Sequence, residues 1–198
     1  MEGEEARPKV DDDLLNRVLI GGPQPTNIVI VDYDPAWPLR YEHERTRIAA
    51  ALQDRIRRIA HVGSTSVPGL AAKPIIDILV TLDAIEPDEQ LVHELEAAGY
   101  RLRVREEGHR MFRTPERDVH IHVYPDDSDE VERYFLLRDR LRRSDADRDL
   151  YAETKRELAK REWSDMNYYA DAKSDVIRAI LARAIEDRQR GVDNPPAE

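Results

Sequence analysis

One segment limits the possible folds of this chain more than any other, HVGSTSVPGLAAKPIIDILV at residues 61–80. It joins a small polar loop to a strand-like run of apolar residues. Gly63 allows the backbone to turn tightly and to approach a ligand closely. The three residues after it offer hydroxyls and backbone amides to phosphate oxygens, and these are Ser64, Thr65 and Ser66. The loop therefore predicts a phosphate-binding turn that precedes a strand.

Asp77 is the one carboxylate on that strand, and all its neighbours are apolar: Ile75, Ile76, Ile78, Leu79 and Val80. A carboxylate buried without a partner is costly, so a core strand carries one only for a reason. We therefore expect a metal ion or another cation opposite Asp77.

A second strand with polar residues is the segment VHIHVY at residues 119–124. Alternate side chains of a strand share a face, so His120 and His122 lie on one face roughly 7 Å apart. Together with Asp77, they could bind a divalent transition metal or hydrogen-bond a nucleotide phosphate. Histidines on a solvated strand face are the ordinary alternative. The residues alone leave these interpretations open.

Several cations are placed where they could oppose phosphate charge, although charged residues on helices more often form a solvated face. Lys73 flanks the Gly-Ser loop, and Arg113 lies on the strand expected to pair with the histidine strand. Arg138, Lys155 and Lys173 are candidates for a basic rim. The motifs of a serine nucleophile elbow and of a P-loop are both absent from the sequence.

The composition favours a protein that binds small ligands or other proteins. Of 198 residues, 40% are apolar, which is ample for a core. The net charge of −10 argues against nonspecific binding to nucleic acid or to an anionic membrane. The absence of cysteine excludes disulfides and cysteine-ligated zinc. Because there is no signal-peptide pattern and no apolar run of about 20 residues, we expect a cytoplasmic protein.

The periodicity of apolar residues predicts strands and helices up to about residue 128, followed by a helical C-terminal part. The expected divisions are a flexible arm at 1–26, an α/β core at 27–128, helices packed on the core at 129–190, and a disordered tail at 191–198. Predicted strands are 27–32, the strand around Asp77, 100–104, 110–114 and 119–124. Predicted helices are 39–60, 88–98, 131–141, 147–163 and 171–189, with Ser144 as the N-cap of the fourth.

Residues 27–185 resemble the GrpB family, which carries several characteristic motifs. Here they are YDPAW at 33–37, the long HVGSTSVPGLAAKPIIDI motif at 61–78, HIH at 120–122, LLRDRLR at 136–142 and YAETK at 151–155. The resemblance covers about four-fifths of the chain. It implies the polymerase-β-like fold of the nucleotidyltransferase superfamily for the core, and hence an α+β fold with a mixed β-sheet flanked by helices.

Members of that superfamily follow a pattern of a Gly-Ser motif, two carboxylates on one strand and a third carboxylate on a later strand. By resemblance, Gly63 and Ser64 supply the first element and Asp77 the first carboxylate. Leu79 occupies the second carboxylate position, and the later strand offers His120 or His122 instead of an acid. Less negative charge is therefore available to hold the two Mg²⁺ ions of the usual mechanism.

The resemblance implies an enzyme that binds a nucleoside triphosphate and Mg²⁺ or another divalent metal, and transfers a nucleotidyl group to a small-molecule acceptor. Asp77, His120 and His122 are the expected metal-binding or catalytic residues. The expected phosphate ligands are Gly63, Ser64, Thr65, Ser66, Lys73, Arg113, Arg138, Lys155 and Lys173. Two alternatives stay open, a noncatalytic nucleotide- or CoA-binding module and a structural protein that uses its acidic surface.

Overall fold

A five-stranded mixed sheet organises the molecule in the computed structural model, which describes residues 10–191. The strands are β1 (Arg58–Val62), β2 (Ile76–Leu82), β3 (Arg101–Glu106), β4 (His109–Arg113) and β5 (Val119–Pro125). Their order across the sheet is β1-β2-β5-β4-β3. The β2–β5 pair is parallel and the other neighbours are antiparallel. The predicted α+β class with a mixed sheet between helices is confirmed.

The helices described are α1 (Asp12–Val18), α2 (Trp37–Leu52), α3 (Glu89–Ala97), α4 (Asp129–Arg143), α5 (Asp145–Ala159), α6 (Met166–Asp171) and α7 (Ser174–Gln189). Ser144 caps α5 as predicted, because its hydroxyl accepts a hydrogen bond from the Asp147 amide at 3.2 Å. Within residues 10–191, no helix is long and apolar enough to cross a membrane.

One face of the sheet forms the main core. Alternate residues of β2 and β5, such as Ile78 and Ile121, point to this face and are fully buried. They pack against α2 and α3, whose apolar stripes include Ile48 and Leu91. The alternation that buries these residues turns Asp77, His120 and His122 to the opposite face.

The C-terminal helices cover that opposite face only in part. Leu79, Val62 and Tyr124 pack there against Val131 of α4. A separate cluster joins the loop after β1 to α4, α5 and α7 through Leu70, among other residues. The space left between these contacts is the cleft described below.

Residues 53–62 do not continue the helix that was predicted at 39–60. Helix α2 ends at Leu52, because Gln53 has a φ of 50° and the next residues form a short 3-10 turn. The chain then enters β1. The sequence pattern predicts that Ile59 of this strand lies on the helix, because the apolar residues at 48, 52, 56 and 59 fit a helical period. Pairing with β2 overrides that local pattern.

The segment 27–32, predicted as a strand, is extended but makes only an isolated bridge between Val31 and Ala72. The predicted helix 171–189 is also different, since α6 ends at Asp171 and α7 begins at Ser174. The strands predicted at 110–114 and 119–124 are present as β4 and β5.

The predicted flexible arm and the disordered tail fall partly outside the described residues, which begin at Val10 and end at Gly191. Within the arm, residues 10–26 differ from the expectation of flexibility. Leu15 of α1 and Leu19 are buried against Val104 of β3. Asp11 caps α1 by accepting a hydrogen bond from the Leu14 amide at 2.8 Å. The apolar face of α1 supplies the burial that holds this segment on the sheet.

Candidate functional site

The floor of the site is a row of side chains on three adjacent strands. Asp77 of β2 is the register partner of His120 of β5, which is the partner of Arg113 of β4. Residues directly opposite each other on neighbouring strands point to the same face. His122 lies on that face two residues further along β5. The fold therefore brings the predicted carboxylate and both predicted histidines together.

The distances within this group suit a shared ion. Asp77 Oδ1 lies 3.5 Å from His120 Nδ1 and 3.7 Å from His122 Nε2. One donor atom from each residue lies within 4.8 Å of the others. Two donors bound to one ion lie about 3 to 3.5 Å apart, given bonds of about 2.0–2.2 Å. We refer to Asp77, His120 and His122 as the triad.

The ionisation of the triad follows from its surroundings. Burial raises the pKa of Asp77, but the contacts with His120 and His122 outweigh burial and hold that pKa well below its usual range. Burial lowers the pKa of His120, although Asp77 opposes this effect. An ionised carboxylate beside a neutral imidazole is the state that binds a metal ion.

Gly63 lets the loop pass directly over Asp77. A Cβ atom at position 63 would lie 2.4 Å from Asp77 Oδ2, a distance that side chains do not tolerate. Its φ of +67° also belongs to the left-handed region that favours glycine. The Gly-Ser loop is therefore built against the carboxylate, as its position in the sequence suggested.

The hydroxyls of the loop do not all face the cleft. Ser64 lines it, whereas Thr65 and Ser66 are buried. The Thr65 hydroxyl donates to the Ile75 carbonyl at 3.0 Å, and the Ser66 hydroxyl donates to the Gly63 carbonyl at 2.6 Å. The side chains of Thr65 and Ser66, expected as phosphate ligands, instead fix the loop, because the short turn at 64–66 folds them back onto backbone carbonyls.

Three lysines surround two tyrosines beside the loop, and we call these five residues the lysine cage. The Lys155 ammonium lies 4.7 Å from the ring centre of Tyr151, and the Lys173 ammonium lies 4.8 Å from that of Tyr169. The Lys73 ammonium lies 5.1 Å from the Tyr169 ring. Lys155, only 2% exposed, also donates to Ser64 Oγ at 3.0 Å and to the Ala71 carbonyl. Cation–π contacts thus hold the three amines together.

The cage amines are short of negative charge. Burial, followed by the charge of Lys173, lowers the pKa of Lys155 to about 6. Burial lowers the pKa of Lys73 and that of Lys173 to about 8 each. Within residues 10–191, no carboxylate oxygen lies within 4.0 Å of any of these three ammonium nitrogens. An anionic ligand would relieve this deficit.

The Tyr169 hydroxyl points to the same conclusion. Tyr169 is 0% exposed and belongs to the cleft wall. Among the described residues, its hydroxyl is the one buried side-chain oxygen or nitrogen without a hydrogen-bond partner. Buried polar atoms in folded proteins nearly always have partners, so an orphaned one marks a place where a ligand or water binds.

The cleft that contains these groups has a volume of about 870 Å³ and lies between the sheet and the C-terminal helices. Nine of its described lining residues are Lys or Arg and four are Asp or Glu. This local excess is opposite in sign to the net charge of −10 for the whole chain. The cleft therefore favours anionic ligands.

Two other predicted cations line the cleft and are partly engaged. Arg138 donates to Asp139 at 2.7 Å and lies over the Phe135 ring at 4.8 Å. Arg113 donates to Gln24 Oε1 at 3.1 Å. Seven of the nine expected phosphate ligands line the cleft, and these are Gly63, Ser64, Lys73, Arg113, Arg138, Lys155 and Lys173. The other two, Thr65 and Ser66, do not.

Sequence reasoning missed His109. It noted Tyr151 in the motif at 151–155 and Tyr169 together with Lys173, but it did not predict that these residues meet in one cluster. His109 Nε2 lies 3.3 Å from His122 Nδ1, and its ring is stacked on Tyr124. Such a contact fixes the ring that carries a metal ligand. A signal for the cage did exist, since Tyr151 and Lys155 lie one turn apart on the buried stripe of α5. A lysine on an apolar stripe is as unusual as the carboxylate on β2.

The donor set of the triad fits some divalent metals better than others. Two imidazoles and one carboxylate suit Mn²⁺, Zn²⁺ or Fe²⁺, whereas Mg²⁺ prefers oxygen ligands throughout. Leu79, two residues after Asp77 on the same face of β2, is fully buried and packs against Val62 and Val131. The triad therefore has one place for an ion with mixed ligands.

Comparisons with known proteins agree with the sequence motifs. The model of the family described as GrpB protein matches residues 27–183. A UPF0157 protein of Streptomyces coelicolor is 51% identical over 87% of this chain and 92% of its own length. The crystal structure of the conserved protein GrpB from Enterococcus faecalis has a TM-score of 0.71 and 33% identity, over 81% of this chain and 99% of that one.

A shorter match concerns 74 residues, which are 40% identical to part of a dephospho-CoA kinase of Mycolicibacterium paratuberculosis and cover 36% of this chain and 18% of that protein. The family model and the full-length matches agree with the motifs at 33–37, 61–78 and 120–122. The chain belongs to the GrpB family.

Proposed function

We propose that the protein is a metal-dependent nucleotidyltransferase. Its cleft would bind a nucleoside triphosphate and a divalent metal, and would transfer a nucleotidyl group to a small-molecule acceptor. The observation that carries this proposal is the lysine cage next to the triad. Three desolvated amines without carboxylate partners suit a ligand with several negative charges, and a triphosphate chelated to a metal is such a ligand.

The phosphates occupy the lysine cage in this proposal. Lys73, Lys155 and Lys173 oppose the charge of the β- and γ-phosphates, and the Ser64 hydroxyl donates to a phosphate oxygen. The Tyr169 hydroxyl gains the partner that it lacks. A phosphate would also raise the pKa of Lys155 from about 6, so that binding would be accompanied by proton uptake at neutral pH.

Asp77, His120 and His122 hold the metal. A divalent ion bound there supplies charge that stabilises the oxygens of the reacting phosphate. The donor set favours Mn²⁺ or Zn²⁺ over Mg²⁺. Because the side chain of Asp77 is still 27% exposed, the triad is open on the side of the cleft.

In the proposed transfer, the acceptor displaces pyrophosphate at the α-phosphorus. The acceptor hydroxyl oxygen bonds to this phosphorus while the bond to the oxygen that bridges to the β-phosphate breaks. Pyrophosphate leaves with the electron pair of that bond, and the hydroxyl proton passes to water in the cleft. The cage lysines stabilise the charge that grows on the leaving pyrophosphate.

Binding and turnover together test this proposal. Calorimetry with ATP, CTP, GTP, UTP and CoA, each with and without Mn²⁺ or Mg²⁺, should show metal-dependent binding of at least one triphosphate. Asp77→Asn should abolish the metal dependence, and Lys155→Gln should weaken binding at least tenfold. Lys160→Gln is the matched control, because Lys160 lies on the surface after α5 and pairs only with Glu157.

Release of pyrophosphate from the bound triphosphate, in the presence of a pool of hydroxyl compounds, then measures transfer. Wild-type protein should release it and Asp77→Asn should not. Tight triphosphate binding without release from any pool would contradict transfer. Absence of triphosphate binding would contradict the proposal as a whole.

A second candidate is a noncatalytic module that binds a nucleotide or CoA and supports another enzyme. Leu79 at the second carboxylate position favours it, as does the partial match to a dephospho-CoA kinase. This candidate predicts binding of CoA or a nucleotide that does not depend on the triad. Asp77→Asn would then bind the ligand as well as the wild type does.

A further inference from the structure

The cleft contains a second group of cations, which is not part of the lysine cage proposed to bind the triphosphate. Arg113 lies on β4, beside His120 and two strands away from Asp77. Strands are spaced by about 4.8 Å, so its Cα lies about 10 Å from that of Asp77. The lysine cage is tied instead to the connection between β1 and β2, through the bonds of Lys155 to Ser64 and Ala71. The two groups are thus held by different elements of the cleft.

The Arg113 guanidinium lies among like charges. The neighbouring charges that act on it are those of Arg103, Arg117 and Asp165. Burial, together with the two arginines, lowers the pKa of Arg113 to about 10. Its side-chain partner, Gln24, is neutral. In the described part of the chain, no carboxylate oxygen lies within 4.0 Å of this guanidinium.

Asp165 supplies one negative charge against three arginines, and its oxygens pair with groups other than Arg113. One accepts hydrogen bonds from the backbone and side-chain amides of Asn167, at 2.9 and 2.6 Å. The other accepts from the Gln24 amide at 2.7 Å and lies 3.7 Å from Arg103. The arginine group therefore keeps positive charge toward the cleft, separately from the cage.

The two groups also have different hydrogen-bond partners. Lys155 donates to Ser64 and Ala71 of the connection between β1 and β2, whereas Arg113 donates to Gln24. A triphosphate held by the cage and the triad thus leaves Arg113 to a second ligand. A guanidinium presents parallel N–H donors that match the two oxygens of a carboxylate or a phosphate.

We propose that Arg113, flanked by Arg103 and Arg117, binds an anionic group of the acceptor, so that the acceptor is a small hydroxyl compound with a carboxylate or phosphate. This assignment rests on the proposed function, because only a transferase needs an acceptor. The position beside His120 places the anion on one side of the triad, and the hydroxyl of the acceptor is directed to the triad itself.

The test uses the whole chain with two probes, inorganic phosphate and acetate, each titrated separately. The side-chain N–H signal of Arg113 in NMR spectra reports binding at this site, and calorimetry reports triphosphate binding in parallel. We expect a saturable shift of the Arg113 signal with at least one probe, and the responding probe identifies the anionic group. Lys155→Gln should keep this shift but lose at least tenfold in triphosphate affinity.

Arg113→Gln should show the converse, with triphosphate affinity changed less than threefold. Calorimetry in the Lys155→Gln background, in which the cage is weakened, should show anion binding that is lost when Arg113→Gln is added. Arg113→Lys keeps the charge without the parallel donors and should bind the anion more weakly than the wild type. Circular dichroism verifies that each variant is folded. Loss of triphosphate affinity in Arg113→Gln equal to that in Lys155→Gln would overturn the proposal, as would an Arg113 signal that neither probe shifts.

Failure of the proposed function has a different signature. If no triphosphate binds but the Arg113 signal still shifts with an anion, the transferase assignment and the acceptor role are both contradicted, and an anion site remains. If triphosphate binds and the Arg113 signal does not shift, only the arginine subsite is contradicted.

Discussion

Gly63 is the residue on which the geometry of the triad depends most. In Gly63→Ala, the new methyl group would meet Asp77 Oδ2, so the carboxylate or the loop must move. The left-handed φ adds about 1–2 kcal/mol of strain. We expect a lower melting temperature and at least a tenfold loss of Mn²⁺ affinity.

Gly108 supplies a matched control for this substitution. It has the same φ of +67°, but a Cβ there would have no neighbour within 4 Å. Gly108→Ala should therefore show the strain without the loss of metal affinity. Equal Mn²⁺ affinities in the two variants, measured by calorimetry, would contradict the close approach of Gly63 to Asp77.

His109 is a positioning residue for the triad. It contacts His122 Nδ1 and leaves Nε2 of that ring toward Asp77. Partners of this kind typically contribute 10- to 100-fold to metal affinity. His109→Phe keeps a stacking ring and loses the nitrogen, so we expect about tenfold weaker Mn²⁺ binding. His43→Phe, at an exposed position of α2, should bind Mn²⁺ as the wild type does.

At the scale of elements, the strands that carry the triad were predictable and the cage was not. Local alternation in β2 and β5 revealed Asp77, His120 and His122, because a strand places every second residue on one face. The cage joins the loop after β1 to α5, α6 and α7, and no local pattern encodes that meeting. Strand β1 was missed for a related reason, because the apolar spacing of its first residues fits a continuing helix and only pairing with β2 shows that they form a strand.

Helix α5 gives a prediction about pH, since it buries Lys155. The pKa of this amine falls from 10.5 to about 6 on folding, so between these values the unfolded chain binds a proton that the folded chain lacks. Stability should therefore rise with pH over this interval. Lys155 makes the largest contribution between about pH 7 and 7.5. Below this range the unfolded chain protonates His61 and His120, whose pKa values are lowered by burial in the folded chain, and above it Lys73 and Lys173, whose pKa values are lowered to about 8, lose protons in the folded chain.

Urea unfolding at several pH values measures this effect. In the wild type, the unfolding free energy should rise between about pH 7 and 7.5, and Lys155 should supply about 1.4 kcal/mol per pH unit of the slope. Lys155→Met should lower the slope by about this amount, and Lys160→Met should leave it unchanged. An unchanged slope in Lys155→Met would show that other groups are responsible.

At the scale of the whole molecule, an acidic protein encloses a cationic cleft. Of the described carboxylates, only four line the cleft, whereas the lysine cage and the arginine group both line it. The −10 net charge argues against polyanions such as nucleic acid as nonspecific partners, but it did not reveal this local reversal of sign. The positive charge of the cleft arises because Lys155 of α5 and Lys173 at the start of α7 lie close to Asp77 of β2. Only the tertiary structure shows this arrangement.

The most direct test of the central claim is a crystal structure with Mn²⁺ and a non-hydrolysable triphosphate, with the metal located by its anomalous signal. We predict one anomalous peak bonded to Asp77, His120 and His122, with the phosphates contacting Lys73, Lys155 and Lys173. A peak bonded to other residues, or phosphates outside the lysine cage, would contradict the assignment of this cleft as a metal and triphosphate site.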